Sequence, residues 1–437
     1  MRVTRSRRLG LAVALVVAAP SPAHAASTQV ISPRDVGADL AVGRDGRAFV
    51  VSPSSRPNSG TLSPVRRRSA RPGAAFGPSR ALVRSRAIDR PMDAGIAADG
   101  SGVIVLQSVH RGERRVRVVA FGAGGDVGAP VALSAPGVRA DFAAAAVAPS
   151  GAAVVVWFAH RGARWRLEAA TRAPGAGGFG TSQPLSAFVR RPCCTSVSVA
   201  IGERGDAVAT WSSTARPAVW AALRHPGRGF RRPQRLSTDA ADVPRAAVGA
   251  GGAAALVYST QHVPLRASDG LQLHRATSVG LFGPAEHVNP AGGVTLGEPA
   301  VTAAGHVLVA WRDEVHGERV HLSEAGPGEP LTATAELGAN VSAKRIALAA
   351  DDDGRAVVAW SQRASTAPVY RERAVAALRP APGAAFGPPV GLGRPWRAAA
   401  PALARLVPGG GALVAWNGAR YGGAAQRRSA LLVTRLP

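Results

Sequence analysis

Short apolar runs alternate with tight polar turns along the whole chain, and the alternation repeats. One phrase recurs: an apolar stretch, a turn built on Gly and Asp, a run of β-branched and small apolar residues, then an aromatic. It reads VAPSGAAVVVW before Phe158, VAIGERGDAVATW before Ser212, VTAAGHVLVAW before Arg312 and LAADDDGRAVVAW before Ser361. Aligning these phrases places Gly46, Gly100, Gly151, Gly205, Gly252, Gly305, Gly354 and Gly410 in one slot, 47 to 56 residues apart. Six residues beyond them stand Ser52, Leu106, Trp157, Trp211, Tyr258, Trp311, Trp360 and Trp416. Five of the chain's eight tryptophans share that slot, a concentration chance does not produce. Self-similarity at such a period marks a repeat architecture.

A second marker follows in most repeats: a Gly-rich turn, then Phe, often with Gly-Pro behind it. The instances are Phe76, Phe179, Phe230, Phe282 and Phe386. Each opens a short apolar segment, so a unit reads as four strands. The first runs into the glycine turn and the second ends at the aromatic. The third alternates, as in RWRLEAATR over 164–172, and the fourth follows the Phe. Period-two alternation with Gly, Pro and Asp turns every ten residues or so predicts an antiparallel all-β fold. The last repeat has three strands, ending over 431–436, and the stretch over 28–32 (TQVIS) is an orphan strand at the other end. Pairing the two leaves no bare sheet edge.

Four strands in about 50 residues, repeated, is the pattern of a propeller blade. The chain resembles secreted bacterial β-propeller repeat proteins over nearly all of residues 27–437. The resemblance implies one all-β domain, 26–437, of eight four-stranded blades with the N-terminal strand closing the last; seven blades is the alternative, should the weakly marked first repeat be irregular. The subfamily stays open. The S-x-D-x-G-x-x-W box of sialidase-type propellers fails, because Asp353-Gly354 lies six residues before Trp360. Trp311-Arg312-Asp313 is the nearest approach to a WD dipeptide, and Asp351-Asp352-Asp353-Gly354 the nearest to an integrin-like calcium loop.

The first 25 residues read as an address. Arg2, Arg5, Arg7 and Arg8 precede an apolar run over 11–19, and Ala23-His24-Ala25 fits a small-x-small cleavage site. That is the plan of a secretory signal peptide. The apolar run is far shorter than the roughly 20 residues a bilayer span needs, and no later segment approaches that length. The expected product is secreted or held in the cell envelope, monomeric and without a transmembrane segment.

Composition sharpens the picture in two places. The 437 residues carry a formal charge of +26; one of the 53 basic residues is a lysine, so 53 − 1 = 52 are arginine. Removing the four leader arginines leaves 26 − 4 = +22. Such a surface favours anionic partners, and export argues against nucleic acid among them. Two cysteines, Cys193 and Cys194, exclude a disulfide scaffold and a Cys-ligated metal cluster. In an oxidising compartment they are candidates for a vicinal structural disulfide, with two free thiols the other reading.

The aromatic slot reads as packing between blades rather than as sugar platforms. His316-Gly317-Glu318-Arg319-Val320-His321 lacks H-E-x-x-H spacing; His110 and His160 open comparable stretches, so the motif is the hairpin turn between second and third strands. A lone acidic turn at Asp351-Asp352-Asp353 supplies too few oxygens for calcium. No metal or other cofactor is expected. No nucleophile elbow or phosphate loop occurs. The connections from each fourth strand to the next first strand lead to the channel mouth and carry Arg90, Arg139, Arg191, Arg245, Arg345 and Arg397. Converging guanidiniums suit carboxylate, sulfate or phosphate. Asp93, Asp141, Asp242 and Glu298 share these connections and offset the charge, and in so arginine-rich a chain scattered, solvated arginines would give the same count.

These observations set the expected function: an exported, non-enzymatic propeller binding an acidic polysaccharide, a cell-wall polyanion, another carbohydrate or a protein at the cell surface. The alternative is a glycan-active hydrolase or lyase drawing on Asp93, Asp141, Asp242 and Glu298.

Overall fold

Each of the eight aligned glycines adopts a left-handed backbone, with φ from +71° to +122°. Each donates its N–H to the carbonyl three residues earlier, as Gly151 does to Ala148 at 2.9 Å and Gly354 to Asp351 at 3.0 Å. A residue with a Cβ resists that φ, so glycine closes the hairpin, and the following strand begins two residues later in every repeat. The sequence period is thereby a period of hairpins.

The computed structural model describes residues 26–32, 39–53, 65–83, 89–110, 112–190, 197–213, 218–238, 244–260, 269–278, 280–289, 294–313, 318–332, 335–339, 341–342, 345–365, 371–421 and 427–437. Among them are eight four-stranded antiparallel sheets and no helix. The first strands are Asp39–Val42, Asp89–Ile96, Arg139–Val147, Val197–Ile201, Arg245–Val248, Val294–Val301, Ala347–Ala350 and Ala398–Leu406. Each touches the next, and Ala398–Leu406 touches Asp39–Val42, so these strands form a closed inner ring about one axis. The fold is an eight-bladed β-propeller, with blades numbered here 1 to 8 in the order of those strands. The weakly marked first repeat builds a complete blade, from Asp39–Val42, Ala48–Pro53, Val65–Ala70 and Arg80–Val83.

The ring closes as the orphan strand predicts. Ser27–Ser32 pairs antiparallel with Arg427–Leu436, setting Thr28 opposite Thr434 and Val30 opposite Leu432. It forms the outer strand of blade 8. Ile31 is buried there, as Leu82, Leu185 and Leu392 are on the outer strands of, or just after them in, blades 1, 3 and 7.

The core lies between blades. Eight apolar clusters occupy the eight junctions, and the aromatic slot supplies most of their bulk. Trp157 joins Val105 and Val118 of blade 2; Trp360 joins Leu308 and Leu322 of blade 6; Trp416 joins Val357 and Ala376 of blade 7. All eight residues of the slot are buried, including Ser52 and Leu106. Burying a large ring at every junction stabilises the stack of sheets. Near the axis the strands approach so closely that a Cβ on Gly249 would sit 2.2 Å from the Thr302 carbonyl oxygen.

Candidate functional site: the central channel

Counting back seven residues from each turn glycine gives Asp39, Asp93, Ala144, Ser198, Arg245, Glu298, Ala347 and Leu403, one per inner strand at one level of the ring. Five residues back stand only alanine and glycine in blades 1 to 7, whereas blade 8 has Arg405. Arg405 is thus the one long side chain at its level. It is 41 % exposed, and its Nη2 lies 3.8 Å from Oδ1 of Asp39.

The two aspartates act as straps. An innermost strand has no partner on its axial side, so its N–H groups need acceptors. Asp39 accepts from its neighbour Leu40 at 2.9 Å and from Ile96 of blade 2 at 2.8 Å. Asp93 repeats the arrangement, accepting from Ala94 at 2.9 Å and from Ala145 of blade 3 at 2.9 Å. Burial raises the pKa of Asp39, against the pull of Arg405 and the two N–H groups. Burial pushes Asp93 up to about 6; its two N–H donors work against this and the nearby charge of Asp39 adds to it.

Glu298 is different. Among the described residues no hydrogen bond or ion pair holds its carboxylate. Burial raises its pKa, and the fields of Arg245 in blade 5, Arg345 just ahead of blade 7 and Arg405 in blade 8 pull it back down. The fields of three guanidiniums from separate parts of the ring therefore converge on one carboxylate, and Asp39, 3.8 Å from Arg405, shares the last of them.

Of the arginines named from sequence, Arg245 and Arg345 both act on Glu298 through their charge. Arg139 and Arg397 are exposed at the starts of the inner strands of blades 3 and 8. Arg90 lies on the inner strand of blade 2. Its side chain falls outside the described residues, as do Arg191, Cys193, Cys194, Asp242 and the first 25 residues. Arg90, Arg139, Arg245, Asp93, Asp141 and Glu298 sit within strands rather than in the connections. Several inner strands extend farther toward the mouth than the connections suggested, through irregularities such as those between Pro91 and Asp93 and between Asp141 and Ala144. Asp141 is buried away from Glu298, bound by Gln107, by Arg114 at 3.2 Å and by His160 at 3.0 Å. Arg405 was not among the sequence candidates. Its signal was available: it is the lone charged residue in an alignment column of alanine and glycine.

The described residues of the remaining motifs make structural contacts, while His316 and Gly317 lie outside the described residues. His160 lies next to the end of the second strand of blade 3 and stacks on Trp165, with centroids 4.2 Å apart. His321 lies opposite Trp311 across the second and third strands of blade 6 and stacks on it at 4.4 Å. Asp351 is engaged by its own Arg355 at 2.6 Å, and Asp352 accepts the N–H of Ala303.

No family model matches the sequence, and neither does any curated protein. Among solved structures, prolyl oligopeptidase B of Galerina marginata superposes with a TM-score of 0.50 at 8% identity, over 90% of this chain and 55% of that one. This chain thus spans about half the length of that peptidase. The β-propeller domain of the trilobed protease of Pyrococcus furiosus gives 0.45 at 6% identity, covering 80% and 98%. The polysaccharide lyase Uly1 gives 0.45 at 8%, covering 79% and 90%. Likeness at such identities is one of fold, and it agrees with the topology traced above: the chain is an eight-bladed β-propeller, its ring closed by the N-terminal strand.

Proposed function

We propose that this protein is exported and that, without catalysing a reaction, it binds an acidic polysaccharide at its central channel. The observation that supports the reading is that Arg245, Arg345 and Arg405, from separate parts of the ring, all act on the Glu298 carboxylate through their charge. Guanidiniums present planar donor pairs that match carboxylate and sulfate oxygens. Channel walls of low dielectric focus their field, and the net charge of the chain adds long-range attraction. The signal-like first 25 residues support export, and a cell-surface or extracellular polyanion is the ligand such a location offers. Of the other carboxylates nominated for catalysis, Asp93 straps two blades and Asp141 is held by three donors; Asp242 lies outside the described residues. Affinity electrophoresis of the purified protein in gels containing polygalacturonate or a neutral glucan tests the reading. Retardation by the polyanion alone, relieved by salt, is expected; equal mobility in both gels contradicts it.

A second reading rests on Glu298 itself. A carboxyl with raised pKa and no fixed partner suits a general acid. Release of reducing ends or unsaturated products from acidic polysaccharide, abolished in Glu298→Gln, would favour a glycan-active enzyme over a binding protein.

A further inference from the structure

Phe142 stands out at the channel mouth. It lies near the start of the inner strand of blade 3, on the side of the ring where Arg245 and Arg345 stand. It is 59 % exposed, the most exposed large apolar side chain among the described residues. Its φ is +49°, and among the described residues only Glu318 shares a positive φ without being glycine. A left-handed backbone costs an aromatic residue about 1–3 kcal/mol. Glycine would remove that cost, and exposure of the ring to water recovers none of it. The folded chain thus holds a mostly solvated aromatic in a costly conformation, offset within the chain by a single edge-to-face ring contact.

What surrounds Phe142 is rigid. The register of blade 3 shifts between Asp141 and Ala144, which turns the ring outward. Beneath it the buried Phe158 meets the ring edge to face, with centroids 6.5 Å apart and planes at 69°. Next to it Asp141 is pinned by Gln107 and Arg114 of blade 2 and by His160 of blade 3. His160 is backed in turn by Trp165. Two cations stand nearby in sequence or through Asp141: Arg139, which is exposed, and Arg114, whose side chain is half-exposed.

We infer that Phe142 is a stacking platform for a sugar ring of the ligand, and that Arg139 and Arg114 take the carboxylate of that sugar. The ligand class is a uronate-containing glycan, one of whose rings lies on Phe142 while the chain continues toward the channel arginines. This rests on the binding function proposed above. A pyranose presents an apolar C–H face that packs on an aromatic ring, and a rigid aromatic gives contact area at little entropic cost. A fixed ring beside exposed cations would select the sugar, whereas the arginines alone would select only charge.

Phe142→Gly and Phe142→Asn test the inference, since both residues tolerate a left-handed backbone. Their melting temperatures are expected to equal or exceed that of the parent, because strain is relieved. Their affinity for a short oligogalacturonate, measured by calorimetry, is expected to fall about fivefold to tenfold, the worth of one aromatic contact. Phe142→Trp should keep the parent's affinity, and its indole emission should shift on binding. Parent-like affinity in Phe142→Gly and Phe142→Asn overturns the platform and leaves the channel site standing. No binding by the parent overturns both. A fall in affinity for inorganic sulfate as large as that for the oligosaccharide also overturns the platform, because a stacking ring does not act on a simple anion.

Discussion

Gln29 and Phe76 hold each other across the seam of the ring. The Gln29 side chain donates to the Phe76 carbonyl and accepts the Phe76 N–H, both at 2.7 Å. Gln29 belongs to the N-terminal strand, and Phe76 precedes the outer strand of blade 1. The same two-way clamp joins Gln183 to Phe230 at the junction of blades 3 and 4, and Gln234 to Phe282 at that of blades 4 and 5. The N-terminal strand therefore takes the outer slot of blade 8 in its clamp as well as in its pairing.

Removing residues 26–32 should lower the melting temperature and broaden the transition, since it strips the outer edge of blade 8 and breaks the seam. Gln29→Ala should act in the same direction by about 1–2 kcal/mol, the worth of two backbone-directed hydrogen bonds. Thermal or denaturant unfolding reads both. Unchanged stability in the deletion would mean that the ring does not depend on this strand.

Trp360→Ala should destabilise the protein by about 3–5 kcal/mol, because the ring is fully buried between blades 6 and 7 and its loss leaves a cavity. Urea unfolding measures it. A loss below about 1 kcal/mol would show that the slot is not core, against the typical cost of such a truncation.

Asp93 gives stability a pH dependence of definite sign. Its folded-state pKa, about 6, lies above the ordinary value near 4. The folded state then binds the extra proton between these limits, so the contribution is full in acid and is lost as pH rises through 6. Asp93→Asn removes the titration. The variant should gain on the parent as pH goes from 4 to 7, seen as a narrowing or inverted gap in melting temperature. A gap constant over that range would remove Asp93 from the account.

How much of this was legible in the sequence follows from distance along the chain. The glycine turns and the aromatic slot are local and repeated, so eight copies reinforce one signal. Closure was legible because strands left over at the two ends count to one blade. The Gln29 clamp was not, although Gln183 and Gln234 stand four residues after Phe179 and Phe230 and mark the slot. The Phe that would precede Gln29 by four residues is absent, since that position is Ala25. Among the site residues, Arg245 and Arg345 were found by reasoning about the mouth. Arg405 escaped because it sits deeper, on a strand, where only the column of alanine and glycine reveals it. Asp93 and Asp141 were read as available charge; their commitment to Ala145 and to His160 depends on how neighbouring blades face each other, which periodicity does not encode.

Arg405→Ala should weaken binding of polygalacturonate and lessen its salt dependence, because one of the three channel guanidiniums is lost. The same change frees Asp39 from its nearest cation, so a small loss of stability accompanies it. An unaltered affinity and salt slope would place the ligand away from the channel.

On the proposed reading an anion sits near Arg245, Arg345 and Arg405, where Glu298 is the competing charge. Calorimetric titration of Glu298→Gln with a short oligogalacturonate, beside the parent at the same salt, tests it most directly. Removing the internal carboxylate should tighten binding several-fold, since ligand and Glu298 draw on the same guanidiniums. Equal or weaker binding by Glu298→Gln would place the ligand away from these arginines.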